Sequence, residues 1–216
     1  SGSEEGFQRA LELSQSSRDV HEWYAFYLTQ MGRFDEAIAE TKRGMELDPF
    51  NPLMSASLGW TYFVARRYDE AIGHLKKVVE LAPDLAMTHI WLSWSYLMTE
   101  LYGEAIDEAE QAFSLDPNPI TIAFLAYAYG ASGRRDEALN LLDSLLALST
   151  QLWLDPIIVA FAYMGIGEND QSLEWLEKGY KERSPMLVHL RLFPPADHLR
   201  ADHRFQDLMR RMNYPE

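Results

Sequence analysis

The sequence predicts an all-α fold built as a solenoid of antiparallel helix pairs. Three observations carry that prediction. A short motif returns every 33 or 34 residues, prolines and glycines punctuate it at fixed offsets, and 47% of the 216 residues are hydrophobic. The last is ample for burying one face of every helix. The motif is Asp35-Glu36-Ala37-Ile38, then Asp69-Glu70-Ala71-Ile72, Gly103-Glu104-Ala105-Ile106, Asp136-Glu137-Ala138-Leu139 and Asp170-Gln171-Ser172-Leu173. Aligned on the alanine, or on Ser172 in the last copy, the intervals are 34, 34, 33 and 34. Such a period marks a chain of stacked supersecondary units.

Each unit reads as two helices. Twelve residues before the aligned position stands a small residue, Ala25, Gly59, Ser93, Ala126 or Ala160, which lets two helices approach closely. Three residues later a large one, Leu28, Tyr62, Tyr96, Tyr129 or Tyr163, fills the gap between helices. Gly32, Gly133 and Gly167 end first helices, where a left-handed residue is wanted. Asp35, Asp69, Asp136 and Asp170 are expected to open and cap the second helices. Pro49, Pro83 and Pro117 close those helices, because proline cannot continue a helix and pushes its predecessor into an extended conformation.

The ends depart from the ladder. Glu5 to Leu13 reads as the second helix of a preceding repeat, and Ser1-Gly2 as a cloning scar on a fragment of something longer. Ser184 to Leu190 reads as one short helix, and Pro194-Pro195 breaks the chain. Asp202 then caps a last helix from His203 to Met212, whose Phe205, Leu208, Met209 and Met212 share one face. The expected division is 1–17, scar plus a truncated repeat; 18–51, 52–85, 86–118, 119–152 and 153–184, repeats one to five; and 185–216, capping helices.

Small-x-x-Tyr, a turn glycine, Asp-Glu-Ala and Leu-Asp-Pro at this period resemble the tetratricopeptide repeat, over nearly the whole chain. The Trp that family carries early in each first helix is replaced here by His21, Ser55, His89 and Pro156, and the closing proline is missing after repeats four and five. The resemblance implies a right-handed superhelix whose first helices line a concave face. The stretches Trp175 to Tyr180, Glu182 to Pro185 and Leu199 to Leu208 are similar to the close of repeat arrays in multidomain bacterial regulators, where the array follows a winged-helix, kinase or cyclase domain. That likeness implies a natural C-terminus and an effector domain upstream.

On that concave face the resemblance puts Phe26, Trp60, Trp94, Tyr127 and Phe161 at five equivalent positions. Trp23, Phe63, Trp91 and Met98 stand beside them, with Ile90, Leu97, Ile157 and Met164 adding apolar surface. Rigid aromatic side chains are the usual anchors of binding, so these residues form the candidate groove for an extended peptide or an amphipathic helix. The competing reading is that the rings pack on one another as core. Family members that hold the acidic tails of heat-shock chaperones use a cationic clamp, and the corresponding positions here include Glu22, Phe26, Met87 and Trp91. The expected ligand is therefore an apolar or basic protein or peptide, not an acidic chaperone tail. A homodimer is the further partner weighed.

A net charge of −14 repels phosphate backbones and anionic lipid, so neither nucleic acid nor membrane is expected as a partner. No stretch of eighteen apolar residues appears. The absence of cysteine removes thiolate metal sites and disulfides. His198 and His203, beside Asp197 and Asp202, are spaced five apart across a helix start, which does not suit a zinc ligand pair. The acidic pairs recur with the repeat, as capping residues do, and no phosphate-binding loop or nucleophile elbow is present. No catalytic residue, metal or cofactor is expected. The expected function is a non-catalytic protein-interaction scaffold from a larger bacterial regulator. The alternatives are a homo-oligomerisation module, or the substrate-selecting part of a larger enzyme. The location expected is cytoplasmic, with a periplasmic sensor domain as the other choice.

Overall fold

The computed structural model describes residues 2–13 and 17–213. Ser1 of the expected scar, residues 14–16 within the expected truncated repeat and residues 214–216 of the expected tail lie outside the described residues. Among the described residues there are twelve α-helices, two 3₁₀ turns and no strand. The chain forms two compact units, 1–83 and 84–216.

The first unit holds α1 (Gly2–Leu13), α2 (Arg18–Gln30), α3 (Phe34–Leu47), α4 (Pro52–Val64) and α5 (Tyr68–Leu81). Consecutive helices pack in sequence, and α2 also touches α4. The small-residue position does what its size predicts. A Cβ on Gly59 would fall 2.2 Å from Leu75 of α5, so α4 and α5 meet where glycine leaves room. The core here runs through Tyr24, Leu28 and Ala37, with Phe7 of α1 laid against Tyr24 and Tyr27 at 5.5 and 5.4 Å.

The second unit holds α6 (Ala86–Leu97), α7 (Tyr102–Leu115), α8 (Pro119–Ala131), α9 (Arg135–Gln151), α10 (Pro156–Ile166) and α11 (Asn169–Lys181). Two 3₁₀ turns follow, Pro185–His189 and Pro194–Leu199, and then α12 (His203–Met212). Its core lies between α8, α9 and α10, around Ala126, Leu142, Leu145 and Val159. A Cβ on Gly165 of α10 would sit 2.3 Å from the Tyr127 Cα, so α8 and α10 touch backbone to backbone. Two serines bond across their helix pairs: Ser93, at the small position of α6, donates its Oγ–H to the Ala105 carbonyl at 2.6 Å, and Ser172, at the aligned alanine position of α11, donates to that of Ala160 at 3.1 Å.

Helix ends follow local chemistry, with one correction. Asp48, Ala82 and Asp116, each before a proline, take φ of −140°, −141° and −145°, and the helices stop there. Asn51, Asn118 and Asp155 cap α4, α8 and α10, each followed by proline in the first turn. Asp202 caps α12 by accepting the Arg204 amide at 2.8 Å. Asp35, Asp69, Asp136 and Asp170, expected as caps, lie inside the first turn and cap nothing. The cap position belongs to Arg33, Arg67, Arg134 or Glu168. The reason is the left-handed residue just before it, which leads straight into the helix. Each arginine bonds the glutamate three residues on: Arg33 to Glu36 at 2.7 Å, Arg67 to Glu70 at 2.6 Å, and Arg134 to Glu137 at 2.9 Å. Those hydrogen bonds hold Glu36 and Glu70 below the ordinary carboxylate pKa. Arg134 also lies 4.2 Å over the Tyr129 ring, and Arg135 donates to the Ile166 carbonyl at 2.9 Å.

Candidate functional site

The five rungs of the aromatic ladder divide by unit. In the first, Phe26 on α2 is 39% exposed and Trp60 on α4 half-buried, while neighbouring Trp23 is 63% exposed. Trp23 and Phe26, one turn apart on α2, meet edge to face at 6.3 Å. Phe63 is fully buried beneath Trp60, 5.6 Å away, so it supports the face rather than presenting it. In the second unit Trp94, Tyr127 and Phe161 are only 5%, 6% and 5% exposed. Trp91 and Met98 are half-buried; Ile90, Leu97, Ile157 and Met164 are buried. Burial pushes the Tyr127 phenol far above its ordinary value, as expected for a group removed from water.

The open face of the first unit surrounds a cavity of about 120 Å³ between α2, α3 and α4, lined among others by Trp23, Phe26, Met54, Ser57 and Trp60. Three threonines also line it, but their hydroxyls are engaged. Thr29 donates to the Ala25 carbonyl at 2.8 Å, Thr41 to that of Ala37 at 2.9 Å and Thr61 to that of Ser57 at 3.0 Å. The cavity therefore offers mainly rings and methyl groups, with the Glu22 side chain beside them. Glu22 belongs to an acidic cluster, in which the Arg18 guanidinium faces Asp19, Glu22 at 3.2 Å and Asp48 at 4.0 Å.

Ser57, which lines the cavity, is the small exception in its column. At the repeat interval its column reads Trp23, Ser57, Trp91, Phe124, Ile158. In the second unit Phe124 fills that position and meets Trp94 edge to face at 4.5 Å. The serine of the first unit leaves the corresponding volume empty.

A residue absent from the sequence-level site completes the second unit. Phe193, between the two 3₁₀ turns, is buried with its ring 4.6 Å from Trp94 and 5.0 Å from Phe161. The segment expected as capping helices thus meets the first helices, through Phe193 on α6 and α10 and through the second 3₁₀ turn on α10, and Leu190, Ala196 and Leu199 are buried in it. The one signal for this was Pro194-Pro195, which denies the stretch a regular helix. The first turn, Pro185–His189, is 3₁₀ rather than α, and Ser184 anchors its start by donating to Asp155 at 2.7 Å.

The histidines are also placed by the repeat. Where the family has tryptophan, His21 Nδ1 lies 2.7 Å from Glu40 and His89 Nδ1 2.6 Å from Glu108. The intervening pair is Ser55 and His74, with His74 Nε2 2.8 Å from the Ser55 carbonyl and 3.1 Å from its Oγ. Burial holds the His74 pKa below its ordinary value. His198, a metal ligand by residue type alone, has Nε2 3.1 Å from the Asn169 carboxamide, and burial lowers its pKa too.

Known proteins agree with this architecture. Residues 25–86 and 57–118 match a tetratricopeptide-repeat family, and residues 121–152 match another family of the same description. No curated protein matches the sequence. Among solved structures, a thermophilic TPR protein of Thermus thermophilus superposes with a TM-score of 0.63 at 19% identity, covering 83% of this chain and 98% of that one. A tetratricopeptide repeat protein from Parabacteroides merdae gives 0.66 at 15% identity, over 88% of this chain and 74% of that one. YrrB, described as a TPR protein with an unusual peptide-binding site, gives 0.52 at 19%, over 84% and 95%. At such identities the likeness is one of fold. With matched repeats covering more than half its length, the paired-helix ladder makes the chain a member of the tetratricopeptide-repeat family.

Proposed function

We propose that the chain is a non-catalytic interaction scaffold that docks an apolar or basic segment of a partner protein on the face formed by Trp23, Phe26 and Trp60. One observation carries the reading. Trp23 and Phe26 stay exposed and Trp60 half-buried around a cavity, whereas Trp94 and Phe161 in the second unit are buried against Phe193 of the chain's own tail. Exposed aromatic clusters of this kind mark recognition sites. Membership of a family of helical scaffolds, and a fold relative whose description names a peptide-binding site, support it. The acidic cluster that includes Glu22 favours a basic flank on the ligand.

Selection of displayed random peptides against the full chain tests the reading. Enriched peptides should lose most of their affinity for a Trp23→Ala/Trp60→Ala variant whose circular dichroism is unchanged. Peptides that bind this variant as tightly as the parent chain rule the face out.

A second reading, self-association, is favoured by Phe50 and Leu81, which are 95% and 83% exposed on the first unit. Light scattering across concentration decides it: a constant monomer mass removes it. The repeat bounds 18–51, 52–85, 86–118, 119–152 and 153–184, with residues 5–13 as the half-repeat before them, remain part of this proposal. So does the origin in a larger bacterial regulator, which rests on the likeness of the tail and is tested by recovering the full gene.

A further inference from the structure

We infer that the cavity beside Ser57 receives a phenylalanine side chain from a partner segment of the form basic–apolar–Phe–Pro, the chemistry that this chain's own tail presents to its second unit. The inference rests on the docking reading above and names its ligand class.

Three observations converge. The first is an occupant already present on the equivalent positions. Leu192-Phe193-Pro194-Pro195 delivers one ring against Trp94 and Phe161, and Trp94 is one repeat on from Trp60 and two on from Phe26. Trp60, the same residue type at the same register as Trp94, offers a Phe side chain the edge-to-face partner that Trp94 offers Phe193. The prolines after Phe193 keep the segment out of an α-helix, so a single ring projects. The second is size. A dry apolar cavity of about 150 Å³ is known to admit benzene, and the cavity at Ser57 measures about 120 Å³ and is open to solvent at its Trp23 rim. In the second unit the matching volume already holds the Phe124 ring. The third is charge. Glu22, which lines the cavity, belongs to a cluster where the single positive charge of Arg18 meets three carboxylates, Asp19, Glu22 and Asp48, which leaves the cluster negative. The tail carries Arg191 two residues before its phenylalanine.

The test uses the full chain and an end-blocked peptide, Arg-Leu-Phe-Pro-Pro, copying residues 191–195. Calorimetry gives affinity, and the tryptophan indole N–H resonances report the place. Binding should shift the Trp23 and Trp60 signals. Replacing the peptide's phenylalanine by alanine should weaken binding at least tenfold. Ser57→Phe should abolish binding with an unchanged circular dichroism spectrum, since phenylalanine already occupies that column at Phe124. Should Ser57→Phe fold poorly, Trp23→Ala, a change at an exposed side chain, serves in its place. No binding at millimolar peptide, equal binding of the alanine peptide, or shifts confined to Trp94 would each overturn the inference. The two readings separate cleanly. Displayed peptides that depend on Trp23 and Trp60 but carry another anchor refute the phenylalanine ligand and leave the docking face standing.

Discussion

At the residue scale, one backbone position shows how chemistry and sequence diverge. The turn between paired helices needs a left-handed residue, and Gly32, Gly133 and Gly167 supply it at φ of 73°, 85° and 82°. The same position in the other two pairs is Arg66 at 61° and Glu100 at 60°. For an L-residue with a side chain that conformation costs roughly 1–2 kcal/mol. Glu100→Gly should therefore raise stability by about 1 kcal/mol, less what glycine loses in entropy, and chemical denaturation should show a higher midpoint with an unchanged slope. A lower midpoint would mean that Glu100 makes contacts outweighing the strain. The glycines were legible because their type announces the conformation; Arg66 and Glu100 were legible only by register. The aspartates misled for a related reason. Side-chain type predicted capping, but the turn geometry hands the cap to the residue two places earlier.

At the element scale, the tail is the segment whose role changed most. Its last helix was readable from Asp202 and the Phe205, Leu208, Met209, Met212 stripe, and Phe205 and Leu208 are indeed buried. α12 even keeps the repeat register, since Arg204 bonds Asp170 at 2.7 Å and Arg211 pairs with Glu177, both 34 residues back. The stretch before it carries no periodicity to read. Phe193 should hold the second unit together: Phe193→Ala should cost about 3–5 kcal/mol in urea denaturation, the usual range for a buried ring. The same substitution should shift Trp94 emission to the red as water reaches it. A blue or unshifted spectrum with unchanged stability would show that Phe193 is not what covers that face.

At the scale of the whole molecule, charge sets the terms of association. The chain carries −14, and no helix among the described residues is long and apolar enough to cross a membrane. An acidic surface speeds encounter with basic segments and repels acidic ones. Affinity for the arginine-bearing peptide should fall as salt rises from about 0.1 to about 1 M, where the screening length drops from about 10 to about 3 Å. Salt-independent affinity would remove the acidic cluster from recognition and leave the rings alone.

The sequence by itself determined the helix pairs, their order and the family. Each of those depends on local signals, a small residue, a turn, an acidic first turn, a proline, repeated at one interval. It also named the aromatic columns, because register assigns side chains to faces. Only the tertiary structure decided which rungs are open. That outcome turns on Phe193 reaching Trp94 from far along the chain, and on Ser57 leaving vacant what Phe124 fills. Contacts between distant segments follow no period, and whether an aromatic residue becomes core or docking surface depends on what else arrives to cover it.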